Sequence, residues 1–173
     1  YPGMGFGTGS HETTFLCLQF LDYLVHEKKE RLNSCLDFGC GSGILGIAAL
    51  KLIEKLSVDF CDLEIEALDN CKNNLEINFP AESLDGSRLV SRERFEPQKK
   101  YNLIFANILE HVLLKESLLL KDCLLNDGYL ILSGILLEQR DNIKKEFTSI
   151  GFNFLDEKVK GSWAALLFRK EGS

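Results

Sequence analysis

A glycine-rich segment at residues 36–43, with the sequence LDFGCGSG, constrains the fold of this chain more than any other feature. It leads directly into the apolar, helix-forming residues 44–50. Glycines at alternate positions let the backbone turn tightly and let a ligand approach main-chain N–H groups, and the N-terminus of the next helix would face that ligand. The segment therefore predicts a strand, a glycine turn containing Gly39 and Gly41, and a helix, which together hold a cofactor.

The identity of that cofactor depends on two acidic residues near the turn. Residues 41–46 also match the G-x-G-x-x-G pattern of dinucleotide-binding folds, which is a weak signal by itself. Asp37 precedes Gly39 by two residues, and a carboxylate there would repel a pyrophosphate but suits the ammonium and sulfonium of S-adenosylmethionine. Asp62 follows the apolar residues 58–61, where the ribose-binding acid of such units belongs. Alternatively, Asp37 is a helix cap or turn residue and Asp62 only ends its strand.

Length, charge and cysteine usage limit the possible classes. The chain has 173 residues, 45% of them hydrophobic, which predicts one domain over residues 1–173. Its formal net charge of −6 argues against direct nucleic-acid binding, and its apolar runs are too short to span a membrane. Six cysteines without a C-x-x-C pair indicate buried thiols of a cytoplasmic protein. The chain begins without Met, so we expect it to be part of a longer protein.

Helical and strand patterns alternate along the chain. Predicted helices occupy residues 10–28, 43–56, 64–78, 112–125 and 139–150, and predicted strands residues 32–38, 58–62, 87–91, 101–106, 129–136, 152–159 and 163–169. The last two strands are joined by only three residues, so they must pair antiparallel. The prediction is an α/β fold with a mostly parallel seven-stranded sheet, helices on both faces and a C-terminal antiparallel hairpin.

Four motifs carry a resemblance to a known family. They are PGMGFGTGSHETT at residues 2–14, DFGCGSGIL at residues 37–45, ANIL at residues 106–109 and LSGIL at residues 132–136. Together they resemble the catalytic domain of the ribosomal protein L11 methyltransferase family (PrmA), which has the Rossmann-like fold of class I S-adenosylmethionine-dependent methyltransferases. The resemblance spans nearly the whole chain, and the first and third motifs are far more specific than the glycine turn.

The resemblance implies a reaction and a cofactor site. The family transfers methyl groups from S-adenosylmethionine to the N-terminal α-amine and lysine amines of a ribosomal large-subunit protein, without a metal. Thr14, Gly39, Asp62 and Asn107 match cofactor-binding positions, and Phe6 matches an aromatic residue in a mobile loop over the cofactor. The chain departs from the family's pattern in three ways. Residues 62–65 lack the usual proline, and residues 161–163 read GSW instead of GEW. We also expect the family's N-terminal recognition domain to be absent. The substrate is therefore open: the alternatives are RNA or a small molecule, a cofactor-binding module without activity, or an NAD-linked oxidoreductase.

Two residues are catalytic candidates. Asn107 follows the fourth strand and would accept a hydrogen bond from the substrate amine, although it could instead close a turn by bonding its own backbone. His11 would accept a proton or shape the substrate channel, or else it only caps or packs against a helix. Trp163 is either a wall of the pocket or a core residue. The basic residues between positions 88 and 100 are interpreted as a solvated loop rather than an RNA-binding patch.

Overall fold

Helices and strands alternate along the chain in the computed structural model, which describes residues 11–80, 84, 86–97 and 99–172. Within these residues the α-helices are α1 Glu12–Asp22, α2 Ile44–Leu52, α3 Ile65–Asn78, α4 Glu110–Cys123 and α5 Arg140–Ser149. A π-helical turn at Tyr23–Glu27 extends α1, and short 3₁₀ turns lie at Arg92–Arg94 and Leu137–Gln139. No helix within the described residues combines the length and the apolar character that a transmembrane segment requires.

The strands form one seven-stranded sheet. They are β1 Ser34–Phe38, β2 Ser57–Asp62, β3 Arg88–Ser91, β4 Tyr101–Asn107, β5 Leu124–Leu136, β6 Phe152–Lys160 and β7 Trp163–Lys170. Their order across the sheet is β3-β2-β1-β4-β5-β7-β6. The first five strands pair parallel, whereas β7 pairs antiparallel with both β5 and β6. The predicted fold class and its C-terminal hairpin are therefore confirmed.

Two apolar layers cover the sheet because successive strand residues point to opposite faces. On β1, Cys35 joins the layer formed with α1, α2 and α3, and Leu36 joins the layer formed with α4 and α5. All six cysteines are free and buried, as the sequence predicts. The sheet is thus fixed from both sides, and the strand ends are held in a defined register.

The boundaries differ most from the prediction around the start of β5. The helix predicted to reach residue 125 ends at Cys123, and the strand predicted from residue 129 already begins at Leu124. Between the paired positions Tyr101↔Leu124 and Leu103↔Tyr129 the register shifts, and Asp127 adopts a φ of 63°. The ammonium of Lys170 donates hydrogen bonds of 2.8 Å to the carbonyl oxygens of Lys121 and Leu124. This long-range cap, which no local pattern signals, stabilises the earlier helix end.

Candidate functional site

The carboxyl ends of β1, β2 and β4 bring three candidate residues side by side. Phe38, the last residue of β1, is paired with Cys61 of β2 and with Ala106 of β4. The next residue in the chain is Gly39 after β1, Asp62 at the end of β2 and Asn107 at the end of β4. Ligands of open α/β sheets bind outside the carboxyl ends of the strands, so this edge is the candidate site.

The glycine turn is built from residues in the left-handed region of backbone conformation. Gly39, Gly41 and Gly43 have φ values of 73°, 53° and 78°, which other residues adopt only with strain. A Cβ atom at Gly43 would lie 2.4 Å from the Sγ atom of Cys71. The turn therefore requires glycine for its conformation and for its close packing.

The N–H groups of this turn form hydrogen bonds within the protein, which local sequence patterns do not indicate. The N–H groups of Gly39 and Cys40 donate to the carbonyl oxygen of Cys61 across 2.7 and 3.0 Å, and that of Gly43 donates to Cys40 across 2.8 Å. The N–H of Gly41 donates to the Oδ2 atom of Asp62 across 2.8 Å. Four of these N–H groups are therefore satisfied by folding, and the prediction that Gly39 and Gly41 contact the cofactor stays a prediction. A pyrophosphate cradle needs such donors, so the turn is poorly suited to a dinucleotide.

Asp37 lies behind the turn and caps α2. Its Oδ2 atom accepts a hydrogen bond of 2.9 Å from the backbone N–H of Gly46, and the residue is only 2% exposed. Burial raises the pKa of this carboxyl to about 7, the hydrogen bond from Gly46 lowers it, and the charge of Asp62 raises it further. This geometry matches the helix-cap interpretation that the sequence left open, and it also keeps an acid beneath the site.

Asp62 ties the end of β2 to the glycine turn. Besides the bond from Gly41, its Oδ1 atom accepts a hydrogen bond of 3.1 Å from the N–H of Glu64. The residue is partly exposed, and its neighbours Leu63 and Ile65 are 60% and 67% exposed. The two bonds hold the carboxylate of Asp62 between the glycine turn and the start of α3, beside exposed apolar side chains.

Two buried oxygen atoms near the site have no hydrogen-bond partner among the described residues. They are Oδ1 of Asn107 and Oγ1 of Thr14, which is fully buried in the first turn of α1. A buried acceptor without a partner costs about 1–3 kcal/mol, so such atoms mark positions where a ligand would donate a hydrogen bond. The alternative in which Asn107 closes a turn requires a bond to Oδ1 that the described chain does not contain.

His11 forms the N-cap of α1. Its Nδ1 atom accepts a hydrogen bond of 3.3 Å from the N–H of Thr13 and lies 2.8 Å from the hydroxyl of that residue. Its ring packs edge-to-face against Trp163, with ring centroids 5.0 Å apart. A neutral imidazole that accepts at Nδ1 carries its proton on Nε2, which is then a donor. This geometry favours the cap and wall interpretations of His11 over a proton acceptor.

Ile108 was not identified from the sequence, yet it contacts both the glycine turn and β5. A Cβ atom at Gly39 would lie 2.3 Å from the Cγ2 atom of Ile108. At Gly134, which has a φ of 79°, a Cβ atom would lie 2.6 Å from the carbonyl oxygen of Ile108. A glycine inside a strand pattern often marks such a close approach, so Gly134 was the available signal.

The basic residues between positions 88 and 100 are mostly paired with acids. Arg88 and Lys99 lie 2.9 and 3.6 Å from the buried carboxylate of Asp59, and Arg92 lies 2.7 Å from Glu116. These three ion pairs stabilise the fold, and the interpretation of the segment as a solvated loop stays a prediction.

Phe6, which by resemblance belongs to a loop over the cofactor, lies outside the described residues. Across the described part of the chain, no group of three or more His, Cys, Asp or Glu side chains could hold a metal ion.

Comparisons with known proteins agree with this architecture. A family model described as ribosomal protein L11 methyltransferase (PrmA) matches residues 1–171. The ribosomal protein L11 methyltransferase of Agathobacter rectalis is 35% identical over 176 residues, covering 98% of this chain and 54% of that protein. The chain spans about half the length of the curated relatives it matches.

Solved structures share the fold. The crystal structure of a ribosomal protein L11 methylase from Lactobacillus delbrueckii subsp. bulgaricus matches with a TM-score of 0.81 and 29% identity, covering 99% of this chain and 83% of that chain. An S-adenosylmethionine-dependent methyltransferase from Clostridium acetobutylicum matches with a TM-score of 0.74 at 14% identity, covering 95% of this chain and 94% of that one. At that identity the second likeness concerns the fold alone.

Proposed function

The chain belongs to the ribosomal protein L11 methyltransferase (PrmA) family, and on this premise we propose that it transfers methyl groups from S-adenosylmethionine to amines of a ribosomal large-subunit protein. One observation carries the proposal: the carboxyl edge of the sheet combines two acids, Asp37 and Asp62, with the buried Oδ1 atom of Asn107, which has no partner among the described residues. Acids suit a cationic cofactor, and an amide acceptor suits an amine substrate.

The residues at this edge fit S-adenosylmethionine better than a dinucleotide. Asp62 would accept hydrogen bonds from the ribose hydroxyls with the lone pairs left after its bonds to Gly41 and Glu64. The exposed side chains of Leu63 and Ile65 offer apolar surface for a purine ring. The buried hydroxyl of Thr14 would bond a polar group of the cofactor, and Phe6 would lie over it.

The bound cofactor supplies a methyl group on a sulfonium, which is transferred in an in-line displacement. The protein must therefore hold the attacking amine behind that methyl group and exclude water. Asn107 lies at the end of β4, beside the glycine turn, and its Oδ1 atom would accept a hydrogen bond from the neutral amine. This bond leaves the lone pair of the nitrogen directed away from Asn107 for attack.

Proton removal is assigned to solvent rather than to His11. The Nδ1 atom of His11 is engaged in the cap of α1, so the neutral ring has no lone pair available at Nε2. His11 and Trp163, packed against each other at the carboxyl edge, would instead form a wall of the acceptor channel.

The distribution of charge supports a cationic protein segment as the acceptor. Helices α1, α3 and α4 carry acids in their first turns, and these turns lie at the carboxyl edge: they are Glu12, Glu66 and Glu110. Asp141, in the first turn of α5, is paired with Arg140 and adds little net charge. Lysines occupy the last turns of α2 and α4 at the opposite edge. The acids also stabilise their helices, but together they give the site a negative field that attracts amines and repels phosphates. Cytoplasmic location is proposed with this substrate, and the free buried thiols agree with it.

The test is methyl transfer from labelled S-adenosylmethionine to the components of the large ribosomal subunit, separated afterwards. We expect label in one protein, on an α-amine or lysine, with the wild-type chain and with Asn78→Ala, a control at an exposed asparagine of α3. Asn107→Ala should lose most of the label. Label confined to RNA would replace the substrate class, and no label on any acceptor would favour a cofactor-binding module.

A further inference from the structure

Ile108 lies directly after Asn107, where the chain leaves β4. Its backbone N–H donates a hydrogen bond of 3.2 Å to the carbonyl oxygen of Ser133, and Asn107 itself is paired with Ser133 in the sheet. The peptide of Ile108 therefore continues the β4–β5 ladder for one more residue. Its position is defined by the sheet and not by a loose loop.

Gly134 lets β5 approach this peptide closely. A Cβ atom at Gly134 would lie 2.6 Å from the carbonyl oxygen of Ile108 and 2.8 Å from its nitrogen. The register between β5 and β7 shifts between Leu132 and Ile135, around this glycine. A side chain at position 134 would push the peptide of Ile108 away, and Asn107 would move with it.

The side chain of Ile108 also contacts the glycine turn. Its Cγ2 atom occupies the space where Gly39 lacks a Cβ atom, and a built Cβ would lie 2.3 Å from it. Gly39 is held in turn by its hydrogen bond of 2.7 Å to Cys61. Ile108 thus fills the gap between the turn that would hold the cofactor and the strand end that carries Asn107.

We infer that Ile108 is a positioning residue for methyl transfer: its Cγ2 methyl, packed on Gly39, and its peptide, packed on Gly134, set the separation between Asn107 and the glycine turn. The inference rests on the proposed function. In-line transfer depends steeply on the distance between nucleophile and methyl group, and a displacement of about 1 Å costs on the order of 100-fold in rate. The branched methyl matters in this account because it is the atom that touches the turn.

Two substitutions separate this role from simple packing. Ile108→Val keeps the Cγ2 methyl and loses only the terminal carbon, whereas Ile108→Leu keeps the volume and loses the methyl on Cβ. If Ile108 only filled space, the two substitutions would have similarly small effects, because each costs at most about 1.5 kcal/mol of stability. We expect a clear difference instead: valine retains most of the turnover, and leucine lowers kcat about 10- to 100-fold with little change in the Kd of S-adenosylhomocysteine. Ile135→Leu, the same change at a fully buried residue next to Gly134, is the matched control and should retain turnover.

A readout without substrate distinguishes failure of this inference from failure of the proposed function. The side-chain amide signals of Asn107 are followed by NMR in the wild-type chain and the three variants. We expect signals in Ile108→Val that coincide with the wild type, and shifted or broadened signals in Ile108→Leu. If no acceptor is methylated, the proposed reaction is wrong. The NMR comparison still shows whether Ile108 determines the position of Asn107. Unchanged signals in Ile108→Leu, or a larger change in Ile108→Val, would overturn the inference.

Discussion

The buried carboxylate of Asp37 accepts a hydrogen bond of 2.9 Å from the backbone N–H of Gly46, so that a residue of β1 caps the helix that follows it. No side chain caps α2 from its own N-cap position, which is Gly43. The first turn of α2 therefore depends on an acid that the fold buries.

The pKa of Asp37 makes folding stability depend on pH. Burial raises this pKa to about 7 in the folded protein, whereas an unfolded aspartate titrates near 3.9. Between these values the folded state binds more protons, so the free energy of unfolding falls as pH rises from about 4 to about 7. The loss is on the order of 4 kcal/mol.

Asp37→Asn keeps an oxygen for Gly46 and removes the titration. We expect this variant to be more stable than the wild type at pH 8 and about equal at pH 4.5, as measured by urea unfolding across pH. Asp69→Asn, at an exposed position of α3, is the control and should follow the wild-type curve. Parallel curves for Asp37→Asn and the wild type would show that the carboxyl titrates normally.

Asn107→Ala tests the assignment of the nucleophile-orienting group. Because its Oδ1 atom has no partner in the described chain, we expect the free energy of unfolding to change by less than about 1 kcal/mol. Turnover should fall about 100-fold, since the lost contact acts on the aligned amine, while cofactor affinity changes little. Equal losses in kcat and in cofactor binding would make Asn107 a cofactor ligand only.

The protonation state of the acceptor should control the rate. At pH 7, neutralising a lysine amine with a pKa near 10.4 costs about 4–5 kcal/mol, whereas an α-amine near 7.8 costs about 1 kcal/mol. In the proposed mechanism the amine loses its proton to solvent, because Nδ1 of His11 accepts the cap hydrogen bond from the N–H of Thr13. We expect kcat/KM to rise with pH past neutrality, and an α-amine to react faster than a lysine in a matched peptide at pH 7. A flat profile from pH 7 to 10 would contradict this order.

The acids at the carboxyl edge of the sheet should favour the binding of basic peptides. Glu138 is exposed in the 3₁₀ turn after β5, near the site, and Glu76 is exposed near the far end of α3. Glu138→Lys should lower kcat/KM for a lysine-rich peptide about 3- to 10-fold at low salt, and the difference should shrink at high salt because ions screen exposed charges. Glu76→Lys is the charge-matched control. Equal effects of the two variants would show that the acids at the carboxyl edge do not contribute to substrate recognition.

Local patterns predicted the elements and the residues that approach one another at the carboxyl edge. The glycine turn, the two acids and Asn107 each lie at or directly after the carboxyl end of a strand, and parallel strands bring such positions together without further information. Long-range contacts were missed. The cap of α4 by Lys170 and the packing of Ile108 between Gly39 and Gly134 join residues distant in sequence, so no local pattern specifies them.

The central claim is that the carboxyl edge binds S-adenosylmethionine through Asp62, and calorimetry with S-adenosylhomocysteine and with NAD tests it most directly. Glu66→Ala, a nearby exposed acid in α3, is the control and should bind like the wild type. We expect the wild-type chain to bind S-adenosylhomocysteine and not NAD. Asp62→Ala should weaken the binding of S-adenosylhomocysteine by roughly 1.5–3 kcal/mol. Tighter binding of NAD, or unchanged affinity in Asp62→Ala, would contradict this claim.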